Sequence, residues 1–182
     1  MKRVAVFGNA GGGKSTLAKR LAETTGLPLH PLDTIKFRPG GDEIPQEEYL
    51  ALHAELLQQP EWIIDGFGCM TTLWQRLDVA DTLVYLDLPL YLHAWWVTKR
   101  LIKGLWGPKA RWPEGWPEGS PMWRSTLSSY RVLWLCHRHL TPRYRAFVAQ
   151  AAHDKQVFHL RTPGEIKRFL RETTEGSDGM MM

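Results

Sequence analysis

The chain has 182 residues, 43% hydrophobic, with a net charge of +4, enough for one domain with a substantial core. Two cysteines, Cys69 and Cys136, are too few for a disulfide framework and fit a reducing cytoplasm. The most apolar region, Thr82 to Ile102, contains Asp87, Pro89, His93, Lys99 and Arg100, which makes it a poor membrane span.

The N-terminus passes directly into an apolar run, Lys2 to Phe7, with no charged-then-apolar leader before it. That run reads as a buried parallel strand. It leads into Gly8-Asn9-Ala10-Gly11-Gly12-Gly13-Lys14-Ser15-Thr16, which satisfies G-x-x-x-x-G-K-[ST], the phosphate-binding P-loop. Leu17, Ala18, Leu21 and Ala22 then recur at helical spacing. Strand, glycine-rich turn and helix start are what a polyphosphate site requires. Gly8, Gly11, Gly12 and Gly13 can adopt backbone angles closed to other residues, so successive amides can point into one concavity. Unpaired amides at the helix start add partial positive charge. Lys14 is placed to reach the β- and γ-phosphates, the Ser15 hydroxyl to ligate Mg²⁺, and Thr16 to bond the α-phosphate.

The helix stops at Gly26, and Leu27 to Asp33 reads as a short second strand carrying Asp33 at its C-terminal end. Ligands of open parallel sheets sit outside the carboxyl ends of the strands, so Asp33 is a candidate to bind or deprotonate an acceptor hydroxyl, or else a loop or cap carboxylate. Lys36 and Arg38 follow in a loop closed by Pro39-Gly40-Gly41. They are candidates to grip an acceptor anion, with solvated loop charge as the equal alternative. Glu47 to Gln59 is predicted as an amphipathic helix with Tyr49, Leu52, Leu56 and Leu57 on its apolar face and Pro60 as its stop. His53 on that helix carries no functional expectation.

Trp62 to Gly66 is an apolar strand ending in Asp65, and Thr82 to Asp87 repeats the pattern. Either carboxylate could hold Mg²⁺ through its waters. Asp65 is preferred because Gly66 allows close approach of the chain, whereas capping the helix after Pro89 accounts for Asp87.

Charge is unevenly spread. Between Lys99 and Arg145 lie ten Lys/Arg against Glu114 and Glu118, so this stretch carries +8 and the remainder −4. An anionic partner follows, either bound nucleotide or nucleic acid. Seven of the nine tryptophans lie between Trp95 and Trp134. From Trp106 to Gly119, Pro or Gly interrupts every few residues, which reads as a lid-like loop. Its aromatics are expected to form a local core shaping that lid; stacking on single-stranded nucleic acid is the less favoured alternative. Cys136 and His139 could share a helix face but do not complete a zinc site. Pro142 to about Asp154 is predicted helical, Lys155 to Leu160 is the last strand, and a helix from Glu165 to Arg171 follows.

The segments KRVAVFGNAGGGKSTLAKRLAE, PLD, WIIDGF and RLDVADTLVYLDLP, taken together, resemble the adenylate-kinase-like P-loop kinases. The likeness is closest to the small proteins usually labelled DNA topology modulation proteins, and it covers the chain from Met1 to about Leu170. It implies a P-loop NTPase three-layer α/β fold with a five-stranded parallel sheet in order 2-3-1-4-5. The domain would span 1–172, with a lid-like insertion at about 103–140 and a disordered tail at 173–182.

The resemblance also implies an arginine near ATP at Arg100. Arg124 and Arg131 fall where lid arginines return to the phosphates, and their spacing of seven would put them on one face of a helix. Arg161 and Thr162 fall in the loop that packs on the adenine in these kinases. Cys69 occupies the place where nucleoside-monophosphate kinases carry an arginine for the acceptor's phosphate. Arg76, shared with the topology-modulation group, is the candidate to replace it.

The function expected is an ATP- and Mg²⁺-dependent phosphotransferase with a small-molecule, nucleoside or nucleotide acceptor. The alternative is a nucleotide-switched regulator binding DNA or protein through the basic, Trp-rich region.

Overall fold

Five short strands pair in parallel, each from an apolar run of the kind a doubly covered sheet requires. They are β1 (Arg3–Gly8), β2 (Leu29–Pro31), β3 (Trp62–Asp65), β4 (Thr82–Leu86) and β5 (Gln156–Leu160), in order β2-β3-β1-β4-β5. This is the order that the resemblance to the P-loop kinases implied. The computed structural model describes residues 1–36, 38, 42–106 and 122–178. Of the lid-like loop expected from Trp106 to Gly119, everything after Trp106 lies outside the described residues.

Alternation along β1 sends its side chains to two separate cores. Ala5 and Phe7 pack with Trp62, Ile64, Leu83 and Tyr85 beneath α4 (Met70–Val79) and α7 (Thr141–Ala151). Val4 and Val6 pack with Ile63, Val84 and Leu86 beneath α1 (Lys14–Thr25) and α8 (Pro163–Asp178). Helices on both faces of one parallel sheet make a three-layer α/β fold. The register sets Val6 beside Asp65 and Gly8 beside Leu86, so the strand ends converge where β1 turns into α1.

Three expectations change. The second strand is only Leu29–Pro31, and Leu32 and Asp33 instead open a short helix, α2 (Leu32–Lys36). The buried stripe of α3 (Gln46–Gln58) is Tyr49, His53 and Leu56, while Leu52 is 41% exposed. Spacings of four and three put His53 on the inward face.

The last helix also continues to Asp178, through the start of the expected tail. There the Thr173 and Thr174 hydroxyls bond back to the Phe169 and Leu170 carbonyls, and Arg171 lies 4.0 Å from Glu175. Such local bonds can sustain a helix through a polar segment. Among the described residues, no helix is long and apolar enough to cross a membrane.

Candidate active site

The phosphate loop occupies the turn between β1 and α1. Gly8 is required by close approach, because a Cβ there would lie 2.3 Å from the Leu86 carbonyl oxygen of the neighbouring strand. Gly13 is required by conformation: it precedes α1 with φ +76, a left-handed angle that side chains disfavour. Ser15 and Thr16 are exposed in the first turn of α1, and the Lys14 ammonium donates to the Asn9 carbonyl at 2.9 Å.

Two polar side chains that sequence reasoning passed over hold this loop from behind. Asn9 is buried, accepts the Ala10 N–H on its Oδ1 at 2.8 Å, and donates from Nδ2 to the Leu133 carbonyl at 3.2 Å. Leu133 belongs to α6 (Met122–His139). His93, on α5 (Leu90–Trp106), places Nδ1 2.8 Å from the Ala10 carbonyl oxygen. A signal for His93 existed in its spacing of four from buried Val97, which marks an inward helix face.

The strand-end carboxylates differ in their surroundings. Asp65 is buried at the end of β3, and its Oδ1 has no hydrogen-bond partner among the described residues. Asp33 is exposed as a residue, yet its carboxyl turns inward: Oδ1 would be 3.6 Å from a Cβ on Gly66. Partial enclosure pushes the Asp33 carboxyl above its ordinary value. The Asp65 charge adds to this, against the opposing pull of Lys14 and Lys36. Two carboxyls and the P-loop lysine thus share one electrostatic neighbourhood.

Asp87 is committed elsewhere. Its oxygens receive Arg145 Nε at 2.8 Å, Arg145 Nη2 at 3.0 Å and His159 Nε2 at 2.8 Å. Burial alone would push the Asp87 carboxyl up, but the bonds and charges of Arg145 and His159 hold it below its ordinary value. That favours Asp65 for Mg²⁺. The buried, partnerless Oδ1 at a strand end beside the loop, with the Ser15 hydroxyl exposed in α1, fits the oxygen ligands of a largely hydrated Mg²⁺.

On the acceptor side, Lys36 meets Glu43 at 3.2 Å and Arg38 meets Glu48 at 3.0 Å, both at the surface. Cys69 is the N-cap of α4, with Sγ 3.4 Å from the Thr72 hydroxyl. Arg76, the candidate acceptor-binding group, is 0% exposed and donates from Nη2 to the Gly66 carbonyl at 2.6 Å, while its Nε and Nη1 have no hydrogen-bond partner among the described residues. Its helix faces the sheet rather than solvent, so the guanidinium braces the turn after Asp65 from inside. Burial pulls the Arg76 pKa down, against the charges of Tyr49, Tyr144, Asp65 and Cys69. His53, also buried, is pushed down to about 4 by burial and by the Arg76 charge.

Arg124 and Arg131 both lie on α6, and Arg131 is exposed. Arg100 lies on α5; the side chains of Arg100 and Arg124 are outside the described residues. Arg161 follows β5, exposed, with its guanidinium 3.4–3.5 Å from the His159 ring nitrogens. Thr162 caps the first turn of α8 through the Glu165 N–H at 3.1 Å.

No protein-family model and no curated protein matches the chain. Solved structures do match. The shikimate kinase from Acinetobacter baumannii aligns with a TM-score of 0.57 at 18% identity, over 94% of this chain and 90% of that one. A shikimate kinase from Bacteroides thetaiotaomicron aligns with a TM-score of 0.50 at 15% identity, over 97% and 98%. A gluconokinase from Sinorhizobium meliloti is matched at a TM-score of 0.47 and 16% identity, over 98% and 93%. The chain has the fold of the shikimate kinase structures.

Proposed function

We propose that this protein is an ATP- and Mg²⁺-dependent phosphotransferase acting on the hydroxyl of a small acceptor, within the adenylate-kinase-like group that its motifs resemble. One observation carries the reading: beside a complete G-x-x-x-x-G-K-S loop, Asp65 is buried at the end of β3 with a partnerless Oδ1, and Asp33 Oδ1 lies 3.6 Å from where a Cβ on the adjacent Gly66 would be. A protein that only bound a nucleotide would need one such carboxylate, not two in unequal surroundings.

In the reaction proposed, the loop amides and Lys14 hold the triphosphate, with Lys14 exchanging the Asn9 carbonyl for phosphate oxygens. Ser15 and Asp65 would hold the magnesium. When bound, that ion supplies neutralisation of charge on the phosphoryl oxygens. Asp33 orients the acceptor hydroxyl and takes its proton. A P–O bond forms to the acceptor, the bond from the γ-phosphorus to the β-phosphate oxygen breaks, and ADP and a phosphate monoester leave. Arg124 and Arg131 approach from α6 to stabilise the transferring group, and Arg100 and Arg161 flank the nucleotide. Such catalysis rests on positioning and electrostatics more than on covalent chemistry.

Support for a small acceptor that is not a nucleoside monophosphate comes from Cys69 capping α4 and from Arg76 being turned inward. The fold likeness to shikimate kinase, whose structure was solved with shikimate, makes a hydroxylated acceptor the first class to screen. The test is radiolabelled phosphate transfer from ATP over nucleosides, nucleotides and polyhydroxy acids. Turnover of at least one acceptor well above a Lys14→Ala control is expected. Equal rates for both proteins across the whole panel would sink the kinase reading.

A further inference from the structure

The imidazole of His93 is 1% exposed and belongs to no step described so far. It lies directly against the phosphate loop: Nδ1 is 2.8 Å from the Ala10 carbonyl oxygen, and a Cβ on Gly12 would come within 2.8 Å of its Cε1. Two further α5 side chains close on the same arc. Val97 would lie 2.8 Å from a Cβ on Gly11, and Trp96 would lie 3.4 Å from one on Gly13. The loop is therefore laid on one face of α5, with His93 as the polar contact in that face.

A peptide unit is planar and trans, so the carbonyl of one residue and the N–H of the next point in opposite directions. With the Ala10 carbonyl held toward α5, the Gly11 N–H faces away from α5, toward the open side of the loop. The preceding peptide is held on its N–H side as well, since the Ala10 N–H is taken by Asn9 Oδ1 at 2.8 Å. We propose that His93 is a positioning residue of the nucleotide site, which aims the Gly11 amide at the phosphates by gripping the other end of its peptide. This rests on the reading of the loop as a nucleotide site. It adds a residue that neither the motif nor the strand-end carboxylates point to.

The acceptor is a carbonyl, so Nδ1 must carry the proton. Nε2 has no hydrogen-bond partner among the described residues. Burial lowers the His93 pKa, the Ala10 backbone opposes that, the Lys14 charge lowers it further, and the Leu88 backbone and the His137 charge add smaller effects that oppose each other. A neutral ring protonated on Nδ1 satisfies all of these. A rotating peptide would instead present a carbonyl dipole to the phosphate oxygens, the wrong sign for binding an anion.

Isothermal titration of the full chain with Mg·ATP tests the proposal, using His93→Asn, His93→Gln and His93→Phe beside wild type and with a thermal melt of each. Asparagine keeps an N–H near the Nδ1 position, glutamine moves it outward, and phenylalanine keeps only the ring. His93→Asn should bind within about threefold of wild type, while His93→Gln and His93→Phe should bind about tenfold or more weakly, the scale of one lost buried hydrogen bond. Wild-type affinity in His93→Gln and His93→Phe would overturn the proposal. So would a loss in His93→Asn as large as in His93→Phe, because ring volume rather than the donor would then matter.

Should the larger changes fail to fold, nitrogen-15 spectra of wild type decide: the proton must sit on Nδ1, and an Nε2–H ring refutes the assignment. A wild-type protein that binds no Mg·ATP at millimolar concentration removes the nucleotide reading itself, and this inference with it.

Discussion

Changing Asp87 to asparagine separates the two strand-end carboxylates most cleanly. The side chain of Asp87 is 5% exposed and accepts three hydrogen bonds, two from Arg145 and one from His159. Bonds to a charged group contribute about 1.5–3 kcal/mol each, and the full sum would overstate the effect. Arg145 is 57% exposed, so solvent screens its pair toward the low end. Asparagine keeps one acceptor oxygen but sets an amide donor against cationic donors. The net loss is then about 2 kcal/mol, or roughly 4–8 °C in Tm for a domain of this size.

Urea titration followed by tryptophan fluorescence would measure that loss. It should be largest at neutral pH. Because the folded pKa of Asp87 lies below its unfolded value, the cluster stabilises fully above the ordinary carboxylate range, and its contribution disappears as pH falls through the lower folded value. Phosphotransfer should stay within about threefold of wild type, since no reacting group is touched. Stability within about 0.5 kcal/mol of wild type, joined to loss of Mg²⁺-dependent transfer, would refute the reasoning and make Asp87 the metal carboxylate.

Asp65→Asn should show the reverse pattern: phosphotransfer reduced about a hundredfold or more, with Tm within about 3 °C of wild type because a buried oxygen without a partner is not a stabilising group. Steady-state rates and a melting curve on one preparation check both halves. For Asp33, the raised folded pKa means that the ionised carboxyl costs stability once pH exceeds its unfolded value. Asp33→Asn should therefore be more stable than wild type at neutral pH, while wild-type kcat/KM should fall as pH drops through the raised value. A denaturant midpoint for the variant at or below wild type would contradict this. His53, held down to about 4 against 6.5 unfolded, should make the protein lose stability as pH falls between those values, by an amount on the order of 2 kcal/mol. His53→Leu should flatten that limb in a pH series of urea midpoints, and an unchanged slope would show that His53 is protonated in the fold.

Much of the candidate nucleotide loop was legible in the sequence, because its conformation is local. The loop needs particular backbone angles, and Gly8, Gly11 and Gly13 take the positive φ that other residues disfavour, so the motif from Gly8 to Thr16 names much of its own structure. The strands other than the second were equally legible, since parallel strands covered on both faces are rich in apolar residues, and Asp65 and Asp87 end two such runs. What the sequence could not decide is which polar groups meet. Asp87 is claimed by Arg145 and His159, 58 and 72 residues away, and nothing local to the strand announces either one. Arg76 read as a hand for the acceptor, and the structure adds that it is buried with Nη2 on the Gly66 carbonyl, because its direction depends on how α4 lies on the sheet. His93 reaches Ala10 across 83 residues. Backbone conformation is set by neighbours in sequence, whereas burial and pairing are set by the packing of whole elements. The sequence by itself therefore determined the loop, the strands and the kind of chemistry they suit. Only the tertiary structure gave the carboxylates different surroundings, one paired and one with a partnerless oxygen, and set a histidine behind the glycine-rich loop.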